Sequence, residues 1–110
     1  MVIDLVRKQD FEQLLERSRK DPILIFKHST RCAVSDAALD EFHTFLKDAD
    51  QIDCGLVLVI ENRDVSNAIA ETLRIRHESP QAIVVDGGQP VWKASHWSIT
   101  ADALRGALKS

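Results

Sequence analysis

The chain has 110 residues, of which 45% are hydrophobic and 28% charged, with a formal net charge of −3. That size fits one domain spanning residues 1–110, with roughly 60–70% of the unfolded surface leaving water on folding: room for one core and a shallow surface site. The acidic balance and the scattered Lys and Arg argue against nucleic acid as the main partner, and no apolar run approaches the ~20 residues of a membrane span.

Met1 to Asp10 carries neither a long apolar stretch nor a cleavage-site pattern, so no export signal and a reducing, cytoplasmic setting are expected. In that setting a structural disulfide between Cys32 and Cys54 is disfavoured, and each thiol is judged alone.

Phe11, Leu14 and Leu15 recur at helical spacing and predict an amphipathic helix over about 9–20, stopped by Asp21-Pro22. Ile23 to Phe26 is a continuous apolar run, as expected of a strand buried on both faces. The polar turn His28 to Arg31 follows, and then a helix over about 32–48 with Leu39, Phe42 and Leu46 on one face. Gly55 precedes a β-branched run, Val57 to Ile60, read as the second strand. Asn62 or Asp64 caps a third helix, with Val65, Ile69 and Leu73 spaced by four. Ala82 to Val85 reads as the third strand, and Asp86-Gly87-Gly88 as a hairpin turn into a fourth around Val91-Trp92. Thr100 caps a final helix carrying Leu104 and Leu108, with Asp102 in its first turn.

The order α-β-α-β-α-β-β-α describes an α/β sheet covered by helices on both faces. The tight turn makes strands three and four antiparallel, so the sheet is mixed. Periodicity leaves the direction of strand three open, and with it a flavodoxin-like or a thioredoxin-like arrangement.

Cys32 stands where the first buried strand hands over to a helix. Free N–H groups and the positive end of the helix dipole stabilise a thiolate there, so its pKa is expected below the free-cysteine value. Lys27, His28 and Arg31 add positive potential nearby, and Asp36 opposes it. Ser35 lies one helical turn on, where its hydroxyl can donate to the sulfur but cannot form a disulfide. Cys-x-x-Ser therefore implies chemistry with one thiol, or else an inert capped cysteine. Cys54, just before the second strand, falls at the other end of a parallel pair and is expected to pack as a small apolar residue. His28, His43, His77 and His96 show no short-spaced ligand pattern, so no metal is expected. His43 is read as packing, Trp92 and Trp97 as core or sheet-edge aromatics, and Arg63, Arg76 and His77 as loop charges. Pro80, after Ser79, opens the third strand. A cis bond there would turn the Ser79 backbone outward toward Cys32.

The segment Phe26-Lys27-His28-Ser29-Thr30-Arg31-Cys32-Ala33-Val34-Ser35 resembles the monothiol bacilliredoxins of the YtxJ-like family. The likeness continues in Arg63 to Asn67, His77 to Gln81 and Ala94 to Thr100. Ala33 stands where the family pattern often has proline. The resemblance implies a thioredoxin-like fold with a four-stranded sheet ordered 2-1-3-4, strand three antiparallel to strand one, and a cis Ser79–Pro80 bond facing Cys32. It also implies a thiol-disulfide oxidoreductase that removes bacillithiol, a low-molecular-weight thiol, from S-thiolated proteins. Cys32 is then the nucleophile, Ser35 stabilises its thiolate, and Thr30, Arg31, Ser79 and Pro80 meet the substrate. The expected partners are S-thiolated proteins and the small thiol as co-substrate, with no bound cofactor, and the chain a monomer or weak dimer. The rivals are a non-catalytic thioredoxin-fold binding module and an iron–sulfur carrier like the monothiol glutaredoxins. The Cys-Gly-Phe-Ser typical of the latter is absent, Ala33-Val34 filling its middle.

Overall fold

The computed structural model describes residues 1–49 and 51–108. Its elements are β1 (Val2–Asp4), α1 (Lys8–Arg17), β2 (Ile23–His28), α2 (Ala33–Leu46), β3 (Asp53–Leu58), α3 (Arg63–Leu73), β4 (Gln81–Asp86), β5 (Gln89–Ser95), a 3₁₀ turn at His96–Ser98, and α4 (Ala101–Leu108). The strands are ordered β1-β3-β2-β4-β5. β1 and β2 both run parallel to β3, β4 runs antiparallel to β2, and β5 antiparallel to β4.

The sheet thus has five strands rather than the four expected. The four expected strands keep their order, and β1 is added outside β3. Three residues with alternating exposure leave too short a pattern to register as a strand.

β2 is the centre of the sheet, and all six of its residues are buried. Strands pair on both its sides and helices cover both its faces, so every position is largely shielded from water. Ile23 and Ile25 pack with Phe11 and Leu14 of α1 and Val65 and Ile69 of α3. Leu24 and Phe26 point the other way, to Phe42 and Phe45 of α2 and Leu104 of α4. The Phe26 and Phe42 rings stack at 4.9 Å between centroids, a contact worth about 1 kcal/mol beyond its buried area.

Helix ends follow local hydrogen bonding. Asp10 reaches back to the Val6 and Arg7 N–H groups at 3.1 and 2.9 Å, opening α1. Thr100 Oγ1 accepts from Ala103 N–H at 3.1 Å and caps α4 as expected. Asn62 holds the N-cap of α3, but its side chain makes no cap bond. It donates instead to the Val6 carbonyl at 3.4 Å.

β3 begins four residues before the predicted run, so Cys54 and Gly55 lie within the strand. Glycine weakens a strand signal because it adds no packing surface. Here the missing side chain is required: a Cβ at Gly55 would meet Leu14 Cδ2 at 2.5 Å and Leu5 Cδ1 at 2.7 Å. Both leucines are 1% exposed and belong to the same core cluster, so either must shift within the core to make room. Gly55→Ala is expected to destabilise the fold by about 1–3 kcal/mol through overpacking, read as a lower urea midpoint with unchanged slope. An unchanged midpoint would mean that the leucines repack freely.

At the far edge, β5 carries Pro90, and the β4–β5 register shifts between Val84 and Val85. The hairpin turn is tied to the end of α1: Gly87 N–H donates to the Ser18 carbonyl at 2.7 Å, and Gly88 N–H to Ser18 Oγ at 3.0 Å. Trp92 of β5 is half-buried, whereas Trp97 is 72% exposed and belongs to no core. His43 is also exposed, its ring 6.1 Å from Phe42, so it does not pack inside.

Candidate active site

Cys32 is the N-cap of α2, in an extended backbone conformation, and its carbonyl accepts the first helical bond from Asp36 N–H at 3.1 Å. It is partly exposed and not in a disulfide. A thiol at this position faces the first-turn N–H groups, which have no acceptor within the helix. The placement suits a thiolate, and the partial exposure leaves it open to attack a disulfide.

Ser35 is fully buried, at the third position of α2. Its hydroxyl was expected to donate to the Cys32 sulfur, but its hydrogen-bond partners are Ser29 and His28 instead. Ser29 N–H donates to Ser35 Oγ at 2.9 Å, and His28 Nδ1 lies 2.7 Å from the same oxygen. Ser35 thus ties the end of β2 to the first turn of α2 and fixes the loop that presents Cys32. His28 is 6% exposed. Burial lowers its pKa, against the opposing pull of the Asp36 and Glu61 carboxylates.

Thr30 and Arg31 lie exposed on that loop. Thr30 Oγ1 donates to Glu61 at 3.1 Å, joining the loop to the turn before α3. The Ser79–Pro80 bond is cis, as the resemblance implies. Lys27 pairs with Gln81, so the antiparallel register sets Pro80 opposite His28, at the end of the sheet from which the chain runs into Cys32. The Pro80 carbonyl accepts from His96 N–H at 3.1 Å, bringing the turn that carries exposed Trp97 alongside. Trp97 was expected in the core or at the sheet edge. Its exposure beside Pro80 instead adds an apolar rim to this end of the molecule.

Cys54 lies away from this end. It pairs with Leu24, near the start of β2, whereas Cys32 follows His28, a separation along the strand of about 13 Å. Its side chain is 0% exposed, and burial pushes the thiol up to about 12.

A second polar group sits on the α3 side of β2. Lys27 is 0% exposed, in line with Ile23 and Ile25. Its ammonium donates to the Ser66 carbonyl at 3.3 Å and lies 3.1 Å from His77 Nδ1. Desolvation lowers the Lys27 pKa to about 8. His77 is lowered too, first by burial and then by Lys27 and Arg63, with Glu78 opposing. Sequence reading treated Lys27 and His28 as nearby positive charge. The signal that could have found them is two polar residues directly continuing a wholly buried strand.

Comparison with known families matches residues 3–104 to the model of the monothiol bacilliredoxin BrxC. The chain belongs to the monothiol bacilliredoxin family. A solved thioredoxin-fold protein, 35% identical, superposes on this bacilliredoxin with a TM-score of 0.87, over 96% of this chain and 92% of its own. Thioredoxin from Fasciola hepatica superposes at 0.74 with 16% identity, over 96% and 94% of the two chains. Thioredoxin from Schistosoma mansoni does so at 0.77 with 17% identity, over 98% and 95%. At those identities the two thioredoxins speak to the fold alone. The bacilliredoxin therefore has a thioredoxin-like fold, and its family is one of thiol oxidoreductases. Among the described residues, no helix is long and apolar enough to cross a membrane.

Proposed function

We propose that this bacilliredoxin removes a low-molecular-weight thiol, bacillithiol, from S-thiolated cytoplasmic proteins through a mixed disulfide at Cys32. The observation that carries the reading is the pairing of one accessible helix-capping thiol with a serine at the place of a second, while Cys54 is buried near the other end of the sheet.

In the first step the Cys32 thiolate attacks the small-thiol sulfur of the mixed disulfide. A new disulfide forms between Cys32 and the small thiol, the old one breaks, and the target protein leaves as its thiolate. A second small thiol, also as thiolate, then attacks the small-thiol sulfur bound to Cys32. It leaves as a small-thiol disulfide and Cys32 is again a thiolate. Two electrons pass from the small thiol to the target, and none remain on the enzyme. Ser35 holds the Cys32 loop, and Thr30, Arg31, Ser79 and Pro80 form the surface on which the target's backbone and the thiol's polar groups rest. A segment laid along the Ser79 backbone would be held as an added strand is. One molecule suffices for the cycle, so the working form is a monomer or a weak dimer.

Mass spectrometry after exposure to bacillithiol disulfide, and separately to glutathione disulfide, tests this. The expected result is one adduct, on Cys32, formed faster with bacillithiol. An adduct on Cys54, or an intramolecular disulfide, would overturn the one-thiol cycle. Preference for glutathione would reassign the small thiol. An iron-containing, coloured protein would favour the iron–sulfur carrier instead.

A further inference from the structure

Position 27 continues the face of β2 on which Ile23 and Ile25 pack against Val65 and Ile69 of α3. An apolar side chain would fill that place without taking a charge out of water. The residue there is Lys27, and it is 0% exposed. Core packing alone does not call for it, so its contacts carry the explanation.

The ammonium donates to the Ser66 carbonyl at 3.3 Å and lies 3.1 Å from His77 Nδ1. An ammonium only donates, so Nδ1 must accept and carry no proton. Both conditions hold at pH 7. Lys27 is charged, with its pKa at about 8. His77 is neutral, its pKa lowered first by burial and then by the Lys27 and Arg63 charges, with Glu78 opposing. Ser66 Oγ lies 3.3 Å from the same nitrogen, so the ring is held from β2 and from α3 at once. On β4, Gln81 is the cross-strand partner of Lys27 and is 1% exposed, and its Nε2 donates to the Arg76 carbonyl at 3.1 Å.

The segment from Arg76 to Ser79 lies between α3 and β4 and belongs to neither. These side chains hold it, rather than a strand ladder. It leads directly into Pro80. An added strand binds to backbone groups already in place. A loose segment would have to be ordered each time a target arrives, and that cost falls on affinity.

We propose that Lys27 is a positioning residue for thiol exchange, holding His77 and with it the backbone that leads into Ser79, so that the target's segment meets an edge already in place. This rests on the reading of Ser79 and Pro80 as the surface for the target. No proton or electron moves in this role. Lys27 stands on the face of β2 opposite Phe26, which packs on α2. It therefore acts on the target's backbone and leaves the bond-making step to Cys32.

Lys27→Met and His77→Ala, made singly and together, test the role at pH 7, with a peptide carrying the bacillithiol mixed disulfide as substrate. Nitrogen-15 relaxation of the His77, Glu78 and Ser79 amides reads the tether without any exchange. Order parameters of about 0.85 are expected in the wild type, falling toward about 0.6 in each single variant. KM for the peptide should rise roughly tenfold, the cost of ordering about one more residue on binding, while kcat stays within about twofold. The double variant should be no worse than the worse single one, because both substitutions cut the same link. Order parameters that are unchanged in Lys27→Met overturn the role, and so does an unchanged KM. Effects that add in the double variant overturn it too, since Lys27 would then act on the core and not through His77. The Cys32 adduct in the wild type is scored separately by mass. Its absence overturns the exchange reading, and the positioning role with it. Its presence, with order parameters or KM unmoved in Lys27→Met, overturns the positioning role alone.

Discussion

Cys32→Ser is expected to abolish removal of the small thiol, while Cys54→Ala keeps close to the wild-type rate. The serine hydroxyl is not ionised near neutral pH and cannot form a disulfide, so the covalent step is lost. The fall should be on the order of a thousandfold or more, the scale on which loss of a nucleophile registers. Cys54 has neither access nor ionisation: it is 0% exposed and its thiol is pushed up to about 12. Alanine there avoids leaving a buried hydroxyl in the core, so the fold should tolerate it at a cost of about 1 kcal/mol for the lost sulfur. Following release of free small thiol from an S-thiolated test protein measures both variants. Equal loss in Cys54→Ala, in a protein that still folds, would place the second thiol in the cycle and overturn the one-thiol mechanism.

Lys27→Met is expected to raise stability at neutral pH and to remove a pH dependence at alkaline pH. Lys27 has no exposed surface, and no carboxylate pairs with it among the described residues. The folded protein therefore holds its ammonium at a cost. With the folded pKa at about 8 and the ordinary value at 10.5, the unfolded chain binds more protons between those pH values. Stability must then rise with pH across that window, and the group's cost is fully present below it. The shift corresponds to about 3 kcal/mol at most. Methionine removes this cost but loses the bond to the Ser66 carbonyl and the contact with His77, worth about 1 kcal/mol. The net gain near pH 7 is then about 1–2 kcal/mol, fading above pH 10. Urea unfolding of both proteins from pH 6.5 to 10.5 would show two curves converging as pH rises. Parallel curves would mean that Lys27 is not the group being titrated.

That a buried, costly lysine sits beside His77 has a bearing on the site. His77 lies in the segment between α3 and the cis Ser79–Pro80 bond, and Gln81, the partner of Lys27 across the sheet, donates to the Arg76 carbonyl at 3.1 Å. Two neighbouring strands, β2 and β4, thus hold this segment. A charge that costs stability while pinning the Pro80 segment is the pattern expected where function and stability pull apart.

The sequence made some of this legible and hid the rest for physical reasons. The apolar run from Ile23 and the helical spacing after Cys32 announce a strand, a turn and a helix, which is enough to put Cys32 at a helix start. Cys-x-x-Ser announces a single thiol. The family resemblance supplied the direction of β4 and the cis bond, neither of which periodicity encodes. Gly55 hid the start of β3 because its value lies in an absence, the room it leaves for Leu5 and Leu14. β1 stayed hidden because its support comes from β3, more than fifty residues away. Lys27 and His28 look like loop charges until the strand is known to run through them. Only then do they face opposite layers, one toward His77 and the other toward Ser35. The partner of the Ser35 hydroxyl is decided by that long-range packing, which is why the spacing from Cys32 alone suggested the wrong one.

The two margins of the sheet also bear on how the protein keeps company with copies of itself. An open strand invites another chain to pair along it, the route by which β proteins aggregate. β1 offers only three residues. β5 is longer, but Pro90 supplies no donor, and the irregularity opposite Val84 and Val85 breaks the flat ladder that a newcomer would copy. A protein that, on the proposed function, holds another protein's backbone briefly needs its own margins to be poor templates. Here a short border on one side and an interrupted one on the other keep lateral growth unfavourable.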